Sequence, residues 1–164
     1  VAYFRLADVA ADRGELQAAF DFLQSVRDEF PGSPKLPATI LRQGELLTEM
    51  GEFDKAREEY QYLLRVPAWR GEVHARALYQ IGQSHMAERQ FREAHGFFER
   101  TFLAYPHLAN VAAQAYLADA EALTALNATA DAIRTLEEAI EMVGDAAPTG
   151  LVEQMRQQLA RLRS

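Results

Sequence analysis

The sequence has 164 residues, of which 49% are hydrophobic, and its 24 acidic and 17 basic residues give a formal net charge of −7. This acidic balance excludes a nucleic-acid backbone or an anionic membrane surface as the main partner, because both require clustered positive charge. The absence of cysteine excludes disulfides and thiolate chemistry. No apolar run reaches the roughly 18 residues that could cross a bilayer. We therefore expect no direct membrane insertion, and a protein or peptide as the partner.

One pattern recurs four times along the chain. Its clearest marker is an alanine at positions 19, 56, 94 and 132, with successive intervals of 37, 38 and 38 residues. Two stretches in each period carry apolar residues three and four positions apart, which is the spacing of an amphipathic helix. A constant period of this kind indicates a repeat architecture. Each period is therefore predicted to fold as a hairpin of two antiparallel helices.

Small residues explain how each hairpin is expected to close. Those predicted to face the recurrent alanines are Ala7, Gly44, Gly82 and Ala120. Small side chains at such a crossing let two helix axes approach closely. Gly14 and Gly51 are predicted to form the turns of the first two hairpins, since glycine readily adopts the conformation that ends a helix. Arg89 and Asn127 replace them in the last two hairpins, so we expect those turns to be less tight.

The order of apolar and small residues resembles the tetratricopeptide repeat. The first period matches it through Tyr3, Leu6, Ala7, Ala19, Leu23, Val26 and Pro31, and the third through Leu78, Ile81, Gly82, Ala94, Phe98 and Pro106. The resemblance implies an all-α fold, a right-handed superhelical solenoid of antiparallel helix hairpins. We expect repeats at residues 1–34, 35–71, 72–108 and 109–144, followed by a capping helix in residues 145–164.

The long period and the phrases FPGSP and YPHLA are similar to a subgroup common in bacterial cell envelopes. This similarity favours the periplasm or cell envelope over the cytoplasm. The sequence also begins without methionine and within a helical pattern, so we expect it to be an excerpt of a longer protein.

Catalytic and metal-binding patterns are not found in the sequence. The four histidines, at positions 74, 85, 95 and 107, do not have the spacing of helical zinc pairs. There is no glycine-rich phosphate loop, and the few serines are scattered. We therefore predict no enzymatic activity, no cofactor and no metal. His85 is predicted to be partly buried with a hydrogen-bond partner.

The resemblance also implies where a partner would bind, because in this family the first helices of the hairpins line a concave groove that holds a peptide. The predicted groove consists of Phe4, Arg5, Asp8, Leu41, Arg42, Glu45, Arg76, Tyr79, Gln80, Gln83, Leu117 and Glu121. Its floor is expected to be apolar, with an arginine-bearing edge that binds acidic groups and an opposite acidic edge. The alternatives are a structural spacer or self-association element, or an accessory domain of an enzyme.

Three further residues depart from the repeat pattern. Gln43 and Asp119 occupy the position of Leu6 and Ile81, which should pack inward. Because a buried polar group without a partner costs about 1–3 kcal/mol, both are expected to be hydrogen-bonded or locally exposed. Trp69 is predicted to hold its own turn, although tryptophan is also common at binding hot spots.

Overall fold

The computed structural model describes residues 2–164, and the regular secondary structure of these residues is entirely helical. The helices are α1 (Ala2–Asp12), α2 (Leu16–Glu29), α3 (Leu36–Glu49), α4 (Phe53–Leu64), α5 (Glu72–Ala87), α6 (Phe91–Ala104), α7 (Ala109–Ala125), α8 (Thr129–Val143) and α9 (Thr149–Arg163), with a short 3₁₀ turn at Pro67–Trp69. In the part of the chain that the structure describes, no helix is both long and apolar enough to span a membrane.

The helices form two compact units. Unit 1 ends at Ala77 and unit 2 begins at Leu78, so the division falls within α5. In unit 1, α2 packs against both α1 and α3, and α3 packs against α4. In unit 2, α7 packs against α6, α8 and α9, and α9 also packs on α8.

Each unit has its own apolar core. In unit 1, Ala7 and Ala10 of α1 pack with Ala19 and Leu23 of α2 and with Leu46 of α3. In unit 2 a larger cluster joins α6, α7, α8 and α9, and includes Phe98, Leu136 and Met155, which are fully buried. Met155 and Leu159 are the residues that α9 contributes to this cluster.

The hairpins close through a small residue that packs on a larger one. A Cβ atom added to Gly44 would lie 2.4 Å from Cε1 of Tyr60, and one added to Gly82 would lie at the same distance from Cε1 of Phe98. The equivalent large residues in the first and fourth repeats are Leu23 and Leu136, which share a core cluster with Ala7 and Ala120. Glycine therefore occurs where the large residue is aromatic, and alanine where it is leucine.

The four turns inside the hairpins have the same hydrogen-bond pattern. In the first, the amide of Gly14 donates to the carbonyl of Ala11 at 2.8 Å and that of Glu15 donates to Ala10 at 2.9 Å. This pair of bonds is the Schellman motif, and the same pair recurs in the other three turns. Arg89 and Asn127 both adopt a φ of 61° to make it. The prediction that their turns are less tight was wrong, because the same backbone hydrogen bonds form there and hold both residues in the left-handed conformation.

The polar residues that depart from the repeat pattern are hydrogen-bonded, as predicted. Gln43 is fully buried between helices of unit 1, where it donates to Oε1 of Gln24 at 3.1 Å and accepts from Arg27 at 2.8 Å. Arg27 also forms an ion pair with Glu59 of α4 at 2.9 Å. This network connects α2, α3 and α4 without leaving a buried amide unpaired.

The structure predicts that an alanine at position 82 is destabilising. Gly82→Ala would press a methyl group against the buried Phe98 ring, and overpacking of this kind costs about 1–3 kcal/mol. Gly96→Ala is the matched control in the same unit. Nothing lies within 4 Å of its added Cβ, so it should stabilise the helix by about 0.5–1 kcal/mol. Urea denaturation of both variants measures the two effects. If Gly82→Ala and Gly96→Ala were equally stable, the close contact between position 82 and Phe98 would be contradicted.

The left-handed turn residues give a second prediction. Arg89→Gly should raise the free energy of unfolding by about 0.5–1 kcal/mol, because it removes a side-chain penalty of about 1–2 kcal/mol at positive φ and adds a smaller chain-entropy cost. The reverse change, Gly51→Arg at a φ of 77°, should be destabilising by about 1 kcal/mol. Thermal denaturation of the two variants tests whether their changes in stability have opposite signs. If Arg89→Gly destabilised the protein, the arginine side chain would have to stabilise the turn.

Candidate partner-binding cleft

Four residues of the predicted groove line one cleft in unit 2. The cleft has a volume of about 320 Å³ and lies among α5, α7 and α9. We call it the amide cleft, because three glutamines contribute to its walls. Its lining residues are Tyr79, Gln83, Gln114, Leu117, Ala118, Glu121, Leu151 and Gln154.

The apolar residues of the amide cleft are held by the core beneath it. Tyr79 and Leu117 are half-buried and pack against the main cluster of unit 2. The Tyr79 ring lies 5.8 Å from the ring of Phe98, the residue that closes the α5–α6 hairpin. Leu151 of α9 packs on the same cluster. The core therefore holds these residues in fixed positions, and one side of each remains exposed in the cleft.

The polar residues of the amide cleft are arranged around the Tyr79 hydroxyl. Gln83 donates a hydrogen bond from Nε2 to Oη of Tyr79 at 2.7 Å. Burial raises the pKa of Tyr79 above its usual value, so the hydroxyl stays protonated. Burial also raises the pKa of Glu121, and the positive charge of Arg161 acts in the opposite direction. The cleft thus combines amides, a neutral phenol and one carboxyl group.

The groove residues of unit 1 have a different environment. Leu41 is only 4% exposed, so it is part of the core and does not form the open floor that the sequence suggested. Arg42 forms ion pairs with both Glu45 and Glu49 at 3.2 Å. Arg76 also pairs with Glu45 at 3.2 Å. Arg42 and Arg76 of the predicted arginine edge are therefore already paired with carboxylates of the same unit, and an acidic partner would have to displace these carboxylates.

The remaining groove residues are near the start of α1 and in α5. Phe4 is half-buried against the core of unit 1, and the ammonium group of Lys35 lies 5.4 Å from the centre of its ring. Phe4 also lines an open cavity of about 590 Å³ beside the loop of Phe30 to Lys35. Arg5 and Asp8 are exposed on α1, and Gln80 is half-buried. The structure does not bring these residues into the amide cleft.

Four residues of the amide cleft were not predicted as binding residues. They are Gln114 and Ala118 of α7 and Leu151 and Gln154 of α9. Leu151 packs on the core of unit 2 and also reaches the cleft. Because α9 lies outside the fourfold pattern, the repeat register alone could not show that it borders the cleft.

The histidines and the tryptophan have structural contacts. His85 is half-buried, stacks on Phe97 and has Nδ1 2.6 Å from Oε1 of Gln90, which confirms its predicted environment. Trp69 packs edge-on against Tyr62 with the ring centres 6.0 Å apart, in agreement with a role in its own turn. Among the described residues, no group of three potential ligands could hold a metal ion.

Asp119 is the buried acid of unit 2. Its carboxylate is 1% exposed and lies 2.6 Å from Nδ1 of His95, across the contact between α6 and α7. This bond agrees with the expectation that the polar residue at this inward position has a partner. Burial raises the pKa of Asp119 to about 6, and the hydrogen bond from His95 partly offsets that increase. The charge of Asp119 is therefore a cost to the folded state at neutral pH.

Comparison with known proteins supports the resemblance seen in the sequence. The family model described as a tetratricopeptide repeat matches residues 1–33 and 38–66, which correspond to the first two helix hairpins. None of the curated proteins compared with the chain matches it. The family match thus lies within unit 1, and the structural comparisons extend the likeness in fold over the rest of the chain.

Solved structures with the same fold cover nearly the whole chain. Repeats described as TPR-like in a putative kinesin light chain of Podosopora anserina are 16% identical with a TM-score of 0.76, and the match covers 98% of this chain and 83% of that one. MamA of Desulfovibrio magneticus RS-1 is 19% identical with a TM-score of 0.68, covering 98% and 81%. A tetratricopeptide repeat protein from Parabacteroides merdae is 15% identical with a TM-score of 0.70, covering 98% and 62%. The predicted all-α fold class is confirmed, whereas the cell-envelope subgroup stays a prediction.

The buried acid predicts how stability changes with pH. Because the pKa of Asp119 is higher in the folded state, about 6, than its ordinary value of 3.8, its ionisation favours the unfolded state as the pH rises. Relative to Asp119→Asn, the wild-type protein should lose about 2 kcal/mol of unfolding free energy between pH 4 and pH 7.5. Urea denaturation at a series of pH values measures this difference. Asp145→Asn, at an exposed position, is the control. If the stability difference between the wild type and Asp119→Asn did not change with pH, the raised pKa of Asp119 would be contradicted.

Proposed function

We propose that this chain is a non-enzymatic protein-interaction module, and that its amide cleft binds an extended segment of a partner protein. The observation that carries the proposal is the cleft itself, in which Tyr79, Gln83, Leu117 and Glu121 line one open surface. The likeness to tetratricopeptide-repeat structures supports the same role, since such repeats bind proteins or peptides. A groove that continues through all four repeats stays a prediction.

The side chains of the cleft suit the backbone of an extended peptide. A glutamine side chain offers two N–H donors and one carbonyl acceptor, which match the two polar groups of a peptide unit. Gln114 and Gln154 lie on different helices of the cleft and can bond to different peptide units. Leu117 and Leu151 provide the apolar contacts. Each interaction is small, so we expect an affinity that depends on several of them together.

The charges favour a basic or neutral partner segment. Glu121 places a carboxyl group at the cleft, and the net charge of the whole chain is −7. A lysine or arginine of the partner that lies near Glu121 would meet complementary potential. This preference differs from the sequence-based expectation of acidic partner groups, because Arg42 and Arg76 are already paired with Glu45.

A displayed library of random peptides gives a direct test of the proposal. Peptides selected by the wild-type protein are expected to combine apolar residues with at least one basic residue. Their affinity for a Gln114→Ala/Gln154→Ala variant should fall by about 30-fold, because two hydrogen bonds of roughly 1 kcal/mol each are lost. Fluorescence polarisation with labelled peptides measures the change.

The matched control is Gln17→Ala/Gln157→Ala. Both glutamines are exposed and neither lines the cleft, although Gln157 is on α9. Like Gln114, each is bonded to a polar side chain four residues away. The control should bind the peptides as the wild type does. Equal binding by the cleft variant, or failure to select any peptide, would refute the amide cleft as the binding site.

A further inference from the structure

A second cavity of unit 2 lies among α6, α7 and α8, and it shares no lining residue with the amide cleft. Its volume is about 370 Å³. We call it the acceptor pocket, because most of its polar side chains accept hydrogen bonds. The side chains that line it include His95 and Glu99 of α6, Leu123 of α7, and Asp131, Thr135 and Glu138 of α8.

Two hydrogen bonds hold acceptors of this pocket in place. His95 bonds through Nδ1 to the buried carboxylate of Asp119 at 2.6 Å. This bond leaves Nε2, which is an acceptor in the neutral ring, for another partner. Oε1 of Glu138 accepts a hydrogen bond from the hydroxyl of Tyr116 at 3.0 Å. A carboxylate has further acceptor sites beyond this one bond, so both side chains can still bind a donor.

The acceptor pocket has a negative charge that its own residues do not balance. Its described lining residues include three carboxylates, and the one arginine among them, Arg134, is paired with Asp131. Glu99 and Glu138 have no ion pair among the described residues. Burial is the main cause of the raised pKa of Asp119, and the charge of Glu99 adds to it, while His95 acts in the opposite direction. A cation in the pocket would relieve this repulsion.

Unit 1 shows what occupies the equivalent place two repeats earlier. There α2, α3 and α4 correspond to α6, α7 and α8, and Gln43 corresponds to Asp119. Nη1 of Arg27 donates to Oε1 of Gln43 at 2.8 Å and to the carboxylate of Glu59 at 2.9 Å. Unit 1 therefore holds a guanidinium group of its own between these helices.

Unit 2 has no arginine at the corresponding position of α6. Counted from the recurrent alanines at positions 19 and 94, the equivalent of Arg27 is Phe102, which is buried and stacks on Tyr116 with the ring centres 3.8 Å apart. The equivalent of Gln24, which bonds to the buried amide in unit 1, is the carboxylate of Glu99. Compared with unit 1, this place in unit 2 thus lacks the internal cation and has more negative charge.

We propose that the acceptor pocket binds the guanidinium group of an arginine side chain from a partner protein, in the place that Arg27 has in unit 1. A guanidinium group has only N–H donors, fixed in one plane, and it can bond to acceptors on α6 and α8 at once. The ammonium group of lysine is more strongly hydrated and lacks this planar fork. A metal ion suits the pocket less, since no group of three potential ligands among the described residues could hold one.

A blocked tripeptide with arginine between two alanines is the probe for this binding. Added to the wild-type protein, it is expected to shift the imidazole NMR signals of His95 in a saturable manner. The same tripeptide with citrulline, the uncharged isostere of arginine, should cause no saturable shift. The lysine tripeptide should bind more weakly than the arginine tripeptide, because it cannot bridge separate acceptors in the same way.

A pair of matched variants tests the location of the site. Glu99→Gln/Glu138→Gln should weaken binding of the arginine tripeptide by about tenfold, because charge-assisted hydrogen bonds become neutral ones. Glu93→Gln/Glu141→Gln removes the same charge from exposed positions of the same two helices outside the pocket, and should bind as the wild type does. Glu121→Gln, in the amide cleft, should also leave binding unchanged, which separates this test from that of the proposed function.

Three results would overturn the proposal. The first is the absence of any saturable change in the His95 signals. The second is equal binding of the citrulline tripeptide, which would show that no cation is required. The third is equal affinity of Glu99→Gln/Glu138→Gln and Glu93→Gln/Glu141→Gln for the arginine tripeptide, because the pocket carboxylates would then have no specific role.

Discussion

The contact between a small residue and a large side chain at each helix crossing is the constraint on which the other features depend. At Gly44 and Gly82 the available space is less than a methyl group, because an aromatic ring fills it. Where leucine replaces the ring, alanine replaces glycine. Total volume at the crossing is thus conserved between repeats while its distribution changes, which is the kind of exchange that protein cores tolerate well.

The same contact fixes the amide cleft. Phe98 lies against Gly82 on one side and close to the Tyr79 ring on another. Tyr79 in turn accepts the hydrogen bond of Gln83. The position of two cleft residues therefore depends on a buried ring rather than on a flexible loop, and a partner would meet a largely preorganised surface. Preorganisation favours binding because less conformational entropy is lost on association.

The sequence predicted the helices well, because period and amphipathic spacing report directly on local structure. It was less informative about exposure, since a face that is polar or apolar by pattern can be covered by a neighbouring helix. Leu41 is buried although the pattern placed it on an exposed face, and Arg42 is paired within its own unit. The turns at Arg89 and Asn127 were misjudged because backbone hydrogen bonds outweigh a local penalty of about 1–2 kcal/mol. The sequence predicted α9 as a capping helix but could not show that it borders the amide cleft, since no other repeat contains an equivalent helix.

The location of the single tryptophan has a spectroscopic consequence. Trp69 lies in unit 1, where its ring packs on Tyr62 at the end of α4. Its fluorescence therefore responds to the surroundings of that loop, whereas the far-ultraviolet circular dichroism signal averages over the helices of both units. In repeat proteins, stability is distributed among neighbouring elements and need not be lost in one step. The difference in midpoint between the unfolding curve followed by Trp69 fluorescence and the one followed by circular dichroism thus measures how cooperatively the two units of this chain unfold.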